Sequence, residues 1–92
     1  MLRLKLLPPL SRIVGEKDIL VDLDRAPLRL VLERAVAQNP NFRSAMLDRS
    51  GRLSHDYSCL VNGQRYNVSD PGDVEVDGTD EVTLLLPLAG GS

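Results

Sequence analysis

Cysteine, histidine and phenylalanine occur once each in this 92-residue sequence, and tryptophan does not occur at all. A lone Cys59 cannot close an internal disulfide, which fits a reducing, cytoplasmic setting. It stands mid-strand between Ser58 and Leu60, where a thiol behaves as a small core group rather than a nucleophile. His55, in the polar stretch Ser54-His55-Asp56, has no cysteine or acidic cluster at ligand spacing, so no metal site is expected and the imidazole reads as a surface group. No apolar run reaches the ~20 residues that a membrane-spanning helix needs. Met1 to Leu6 interleaves charges with leucines, unlike the unbroken apolar run of a signal peptide, and no membrane partner is expected. A Ser–His–Asp spacing, a P-loop and a glycine-rich dinucleotide fingerprint are all missing. A chain this short offers little concave room for a substrate, so catalysis within it and a bound cofactor are not expected. There is no internal repeat, low-complexity tract or linker.

What is present is charge, unevenly spread. Residues 1–52 hold ten of the eleven basic residues against six acids, whereas residues 53–92 hold Arg65 alone against seven acids. Such polarity argues against nucleic acid as a partner, which would require a coherent basic face. The acids Asp70, Asp73, Glu75, Asp77, Asp80 and Glu81 fall in twelve residues without a basic neighbour. They read either as a solvated loop face or as an acidic docking surface beside the C-terminal tail, steering a basic partner.

Leu2, Leu4 and Leu6 alternate with Arg3 and Lys5, a period of two that predicts a strand with one wet face. Pro8-Pro9 ends it, and residues 10–15 are expected as a loop with apolar anchors. Ile19, Val21 and Leu23 give a second strand, pairing antiparallel with the first. Asp24 is a candidate helix cap, and Pro27 suits a first helical turn. Leu28, Val31, Leu32, Ala35 and Val36 then form one apolar stripe at helical spacing. Asn39-Pro40 closes this helix, and a short second helical turn is expected around Phe42 to Leu47, with Phe42 in the core. Residues 57–61 and 65–68 form a hairpin about Asn62-Gly63, the pair that best accepts positive φ in a type I′ turn. Two turn clusters around Val74 and Val76 lead to a last, mostly apolar strand from Glu81 to Leu86, which reads as a central strand. The expected fold class is α+β: a β-grasp, with a mixed sheet of four to five strands, one main helix on one face, and the first and last strands parallel neighbours.

Residues 1–86 form the expected domain and residues 87–92 a flexible tail. Pro87 stops the ladder, Leu88 and Ala89 can still touch a partner, and Gly90 and Gly91 remove every side chain from the last steps. Pro87 to Gly91 span at most ~17 Å when extended, enough to enter a buried site of another protein.

Val61-Asn62-Gly63, the approach Asp77-Gly78-Thr79-Asp80-Glu81-Val82 and the tail Pro87-Leu88-Ala89-Gly90-Gly91 together resemble the ubiquitin-like sulfur-carrier family. That family includes the small subunit of molybdopterin synthase and the thiamine-biosynthesis sulfur carrier. The resemblance covers nearly the whole chain and rests on element order, length and the terminal di-glycine. It implies that a ubiquitin-activating-type adenylyltransferase uses ATP to adenylate the carboxylate of Gly91. A sulfurtransferase then supplies sulfur for a thiocarboxylate that serves cofactor biosynthesis. Length and Pro87 favour the molybdopterin type over the thiamine type. Gly90 would provide clearance, while Pro87, Leu88, Ala89, Leu84, Asp77, Asp80 and Glu81 would meet partners, among them a larger synthase subunit.

Ser92 departs from the family pattern, because it locks the Gly91 carbonyl in an amide. A peptidase removes it, or it stems from how the chain was produced, or carrier chemistry has been lost. Two other functions stay open: a modifier conjugated to target lysines through Gly91, and a β-grasp interaction module with an inert tail.

Overall fold

A computed structural model of the chain describes residues 1–54 and 56–86. The first strand, β1 (Leu2–Leu6), buries Leu2, Leu4 and Leu6 and exposes Arg3 and Lys5, as its alternation predicts. After Pro8-Pro9 the chain forms a short helix, α1 (Leu10–Val14), where a loop was expected. The reason is local: Leu10 and Val14 lie four apart, share a helical face and are both buried. Gly15 then ends the helix at φ 87, in the left-handed region, with its N–H donating to the Ser11 carbonyl at 2.8 Å.

Strand β2 (Asp18–Val21) pairs antiparallel with β1, matching Leu4 with Ile19 and Lys5 with Asp18. A three-residue strand, β3 (Arg25–Pro27), follows, and it corrects the capping expectation. Asp24 caps no helix; its carboxylate accepts from the Met1 ammonium at 3.0 Å. Pro27 is extended at φ −58, ψ 141 and sits just outside helix α2 (Leu28–Gln38), whose Leu28 N–H donates to the Val74 carbonyl. The stripe Leu28, Val31, Leu32 and Ala35 is buried, and Val36 is half-buried beside it.

Asn39 both ends α2 and caps the next helix, α3 (Pro40–Met46): its side-chain oxygen accepts the Phe42 N–H at 3.0 Å, and Pro40 fills the first position. Phe42 and Met46 are buried completely. Strands β4 (Ser58–Val61) and β5 (Gln64–Asn67) make the expected hairpin, with Asn62 at φ 51 and Gly63 at φ 88, the two positive values a type I′ turn demands. A short β6 (Glu75–Asp77) pairs with β3 as a separate two-stranded sheet, and β7 (Val82–Leu85) completes the main sheet.

The main sheet has the order β2-β1-β7-β4-β5. The last strand therefore lies in the middle, parallel to β1 and antiparallel to β4, in the mixed arrangement read from the sequence. Its Val82 and Leu84 join Leu4, Leu6, Cys59 and Val61 in one core with the apolar stripe of α2. The domain and tail division of the chain concerns residues 87–92, which lie outside the described residues.

Candidate functional site

The candidate site is the end of β7, because the di-glycine segment follows it. Both edges of this strand are occupied. Leu84 is matched with Leu6 of β1 and Cys59 of β4, and the Leu7 N–H extends the ladder to the Leu84 carbonyl at 3.0 Å. Leu85 is matched with Ser58, and Leu86 is half-buried against the core. The chain is thus held from both sides as far as Leu84 and by β4 alone at Leu85. Pro87, Leu88, Ala89, Gly90, Gly91 and Ser92 lie outside the described residues, as does His55.

Leu84, expected to offer an apolar contact to a partner, is fully buried, so its side chain serves the core. The alternation of β7 sends Thr83 and Leu85 to the opposite face of the sheet instead.

The acids do not stand at the end of β7 that leads to Leu86. Asp77, Asp80 and Glu81 precede β7, and a four-residue strand of about 13 Å separates them from its far end. Adjacency in sequence became distance because the intervening residues are extended. Two of these carboxylates also have structural work. Asp77 accepts from the Thr79 hydroxyl at 2.6 Å and the Thr79 N–H at 2.8 Å, and these bonds hold its pKa below the ordinary value, the hydroxyl contributing most. Asp80 accepts from the Asn62 side-chain amide at 2.8 Å and from the Asp77 N–H at 2.8 Å. Asn62 returns a bond by accepting the Glu81 N–H at 2.9 Å, so the hairpin turn and the approach to β7 are clipped together.

Nor is the acidic tract without basic neighbours in space. Arg3 and Lys5 line the same shallow depression as Asp80 and Glu81, and Arg25 approaches Glu75 at 3.7 Å. Across the β3–β6 sheet, Arg25 is matched with Asp77. A group missed by sequence reasoning lies nearer the far end of β7. Arg65, the one basic residue after position 52, donates from Nε to the Ser58 hydroxyl at 3.1 Å, level with Leu85. Its isolation among acids in the sequence was the available signal.

Cys59 is fully buried, and burial pushes its thiol up to about 12, so it carries no thiolate near neutral pH. Among the described residues no group of three histidine, cysteine or acidic side chains could hold a metal ion, and no helix is long and apolar enough to cross a membrane.

No family model and no curated protein matches the sequence. Solved structures do. The small archaeal modifier protein SAMP1 of Haloferax volcanii superposes with a TM-score of 0.74 at 25% identity, over 98% of each chain. A chain of the BexX/CysO complex of Amycolatopsis orientalis gives 0.69 at 17% identity, over 99% of this chain and all of that one. Urm1 of Sulfolobus solfataricus gives 0.60 at 16%, over 92% and 99%. With its five-stranded mixed sheet and central last strand, the chain is a ubiquitin-like β-grasp protein, in keeping with the ubiquitin-like sulfur-carrier family that its sequence resembles.

Proposed function

We propose that this protein is a sulfur carrier whose reactive group is the carboxylate of Gly91, exposed once a peptidase has removed Ser92. An adenylyltransferase of the ubiquitin-activating type joins that carboxylate to AMP from ATP, with release of pyrophosphate. A sulfur nucleophile supplied by a sulfurtransferase then displaces AMP. The resulting thiocarboxylate donates sulfur in cofactor biosynthesis, with the molybdopterin type favoured over the thiamine type. A carboxylate is a poor electrophile, and adenylation gives it a leaving group; the carrier's task is to present the end in the right place.

The observation that supports this reading is the central position of β7. Its pairing with β1 and β4 fixes the origin of the Pro87-Leu88-Ala89-Gly90-Gly91 segment to the core. The test is intact-mass measurement of forms ending at Gly91 and at Ser92 after incubation with a cognate activating enzyme and ATP. The Gly91 form is expected to gain AMP and, once sulfur is supplied, to end about 16 Da heavier through exchange of oxygen for sulfur. Equal activation of the Ser92 form removes the need for processing, and inertness of the Gly91 form removes the carrier reading.

A second reading is favoured by the likeness to a protein described as a small archaeal modifier. The same activated Gly91 would then be transferred to lysines of target proteins. High-mass conjugates joined through Gly91 in cells support the modifier, and a thiocarboxylate form without conjugates supports the carrier.

A further inference from the structure

The basic excess of the first half of the sequence has no part in the tail chemistry, yet the fold gathers some of it in one place. Arg29 on α2, Arg43 on α3 and Arg52 after the 48–51 turn line one open cleft of about 720 Å³. Its floor is apolar: Val68 is buried, and Val36, Leu47 and Leu53 are half-buried. All three arginines are exposed, and among the described residues none of their guanidinium groups has a hydrogen bond or ion pair.

Two acids share the lining, Glu33 and Asp48. Asp48 is turned back into its own loop, accepting from the Ser50 hydroxyl at 2.6 Å, the Ser50 N–H at 2.8 Å and the Arg52 N–H at 3.1 Å. Those bonds keep Asp48 ionised and its charge also acts on Arg52, so the lining sets three cations against two carboxylates and remains basic by one charge. Guanidinium groups around an apolar floor match a ligand that carries carboxylates beside aliphatic side chains, since arginine binds carboxylates in bidentate fashion while the floor removes apolar surface from water.

We propose that this cleft docks an acidic, leucine-bearing segment of a partner protein, with aliphatic side chains over Val36, Leu47 and Leu53 and carboxylates on Arg29, Arg43 and Arg52. Charge complementarity selects the partner, and the site stands independently of the di-glycine tail and of the proposed sulfur chemistry.

The test uses the full chain and a short fluorescein-labelled peptide of alternating leucine and glutamate. Anisotropy is expected to show binding that weakens as salt rises toward physiological strength. Backbone amide shifts should move at Val36, Arg43, Arg52 and Val68. Arg43→Glu combined with Arg52→Glu changes two exposed side chains and should weaken binding on the order of tenfold or more, with an unchanged melting curve. Peptides with lysine for glutamate, or serine for leucine, should bind poorly. The proposal is overturned by full affinity in the double variant or by shifts confined to another surface. It is equally overturned by competition from inorganic pyrophosphate at the peptide's own potency, which would mark a plain anion site. Concentration-dependent shifts at the same cleft without peptide would make a second copy of the chain the occupant and also overturn it.

Discussion

The side chain of Asn62 joins the type I′ turn to Asp80, donating to its carboxylate at 2.8 Å while accepting the Glu81 N–H at 2.9 Å. One residue thereby holds a left-handed backbone position and ties the β4–β5 hairpin to the start of the central strand.

Replacing it separates the two roles. Asn62→Gly keeps the backbone conformation and loses the side-chain bonds, which should cost about 1 kcal/mol. Asn62→Ala loses the bonds and also forces a β-carbon into the left-handed region, adding about 1–2 kcal/mol. Urea denaturation should rank wild type above Gly above Ala; an Ala variant as stable as the Gly variant would contradict the turn assignment.

Leu84 and Leu85 should respond very differently to truncation. Leu84 is fully buried, so Leu84→Ala should cost about 2–5 kcal/mol through lost transfer energy and the cavity left behind. Leu85 is half-buried on the opposite face, and its alanine variant should lose clearly less. Denaturant midpoints decide it, and equal losses would speak against the facing assigned to β7.

Asp77 and Asp48 should resist protonation as the pH falls. Both folded-state pKa values lie below the ordinary carboxylate value, chiefly through bonds from the Thr79 and Ser50 hydroxyls. A depressed folded pKa gives stability that is present above the unfolded value and lost as pH falls through the folded one. Carbon-detected NMR titration should therefore find these two carboxyls titrating below the ordinary aspartate value. In Thr79→Val, Asp77 should return toward the ordinary value.

Cys59 should resist thiol reagents in the native protein. With burial raising its pKa to about 12, iodoacetamide at mildly alkaline pH should leave the folded chain unmodified and label it rapidly in denaturant. Because the folded pKa lies above the ordinary 9.0, the thiol's contribution to stability is intact below that value and declines as pH rises from it toward about 12. Fast native labelling would show that the core opens around β4.

Gly90 should matter to activation and not to folding. The core of the described residues is closed by side chains between Leu2 and Leu86, none of which a change at Gly90 alters. Gly90→Trp is expected to keep the thermal midpoint of the parent and to abolish adenylation of the form ending at Gly91. A lowered midpoint would mean that the segment after Leu86 contributes to the core.

Much of the fold was legible because its signals are short in range. The alternation of Leu2, Leu4 and Leu6, the stripe from Leu28 to Val36 and the Asn62-Gly63 pair each encode an element within a few residues, and each gave the element that formed. Even α1 had a readable sign, Leu10 and Val14 four apart ahead of Gly15. The candidate tail was legible as composition alone.

Tertiary structure decided what no local pattern carries. Three residues are too few to show a period, so the pairing of Arg25–Pro27 with Glu75–Asp77 followed only from the approach of distant segments. Asp24 looked like a cap because capping chemistry is local, yet the fold brought the chain's own ammonium within reach. The acids that neighbour the tail in sequence lie at the other end of β7 because an extended strand converts sequence proximity into distance. Arg29, Arg43 and Arg52, scattered in sequence, line one cleft because α2, α3 and the turn after it pack around the same apolar floor. The sequence by itself determined most of the elements and the composition of the segment after Leu86. Which charged groups became neighbours was settled by packing, since electrostatic partnership depends on distance through space rather than along the chain.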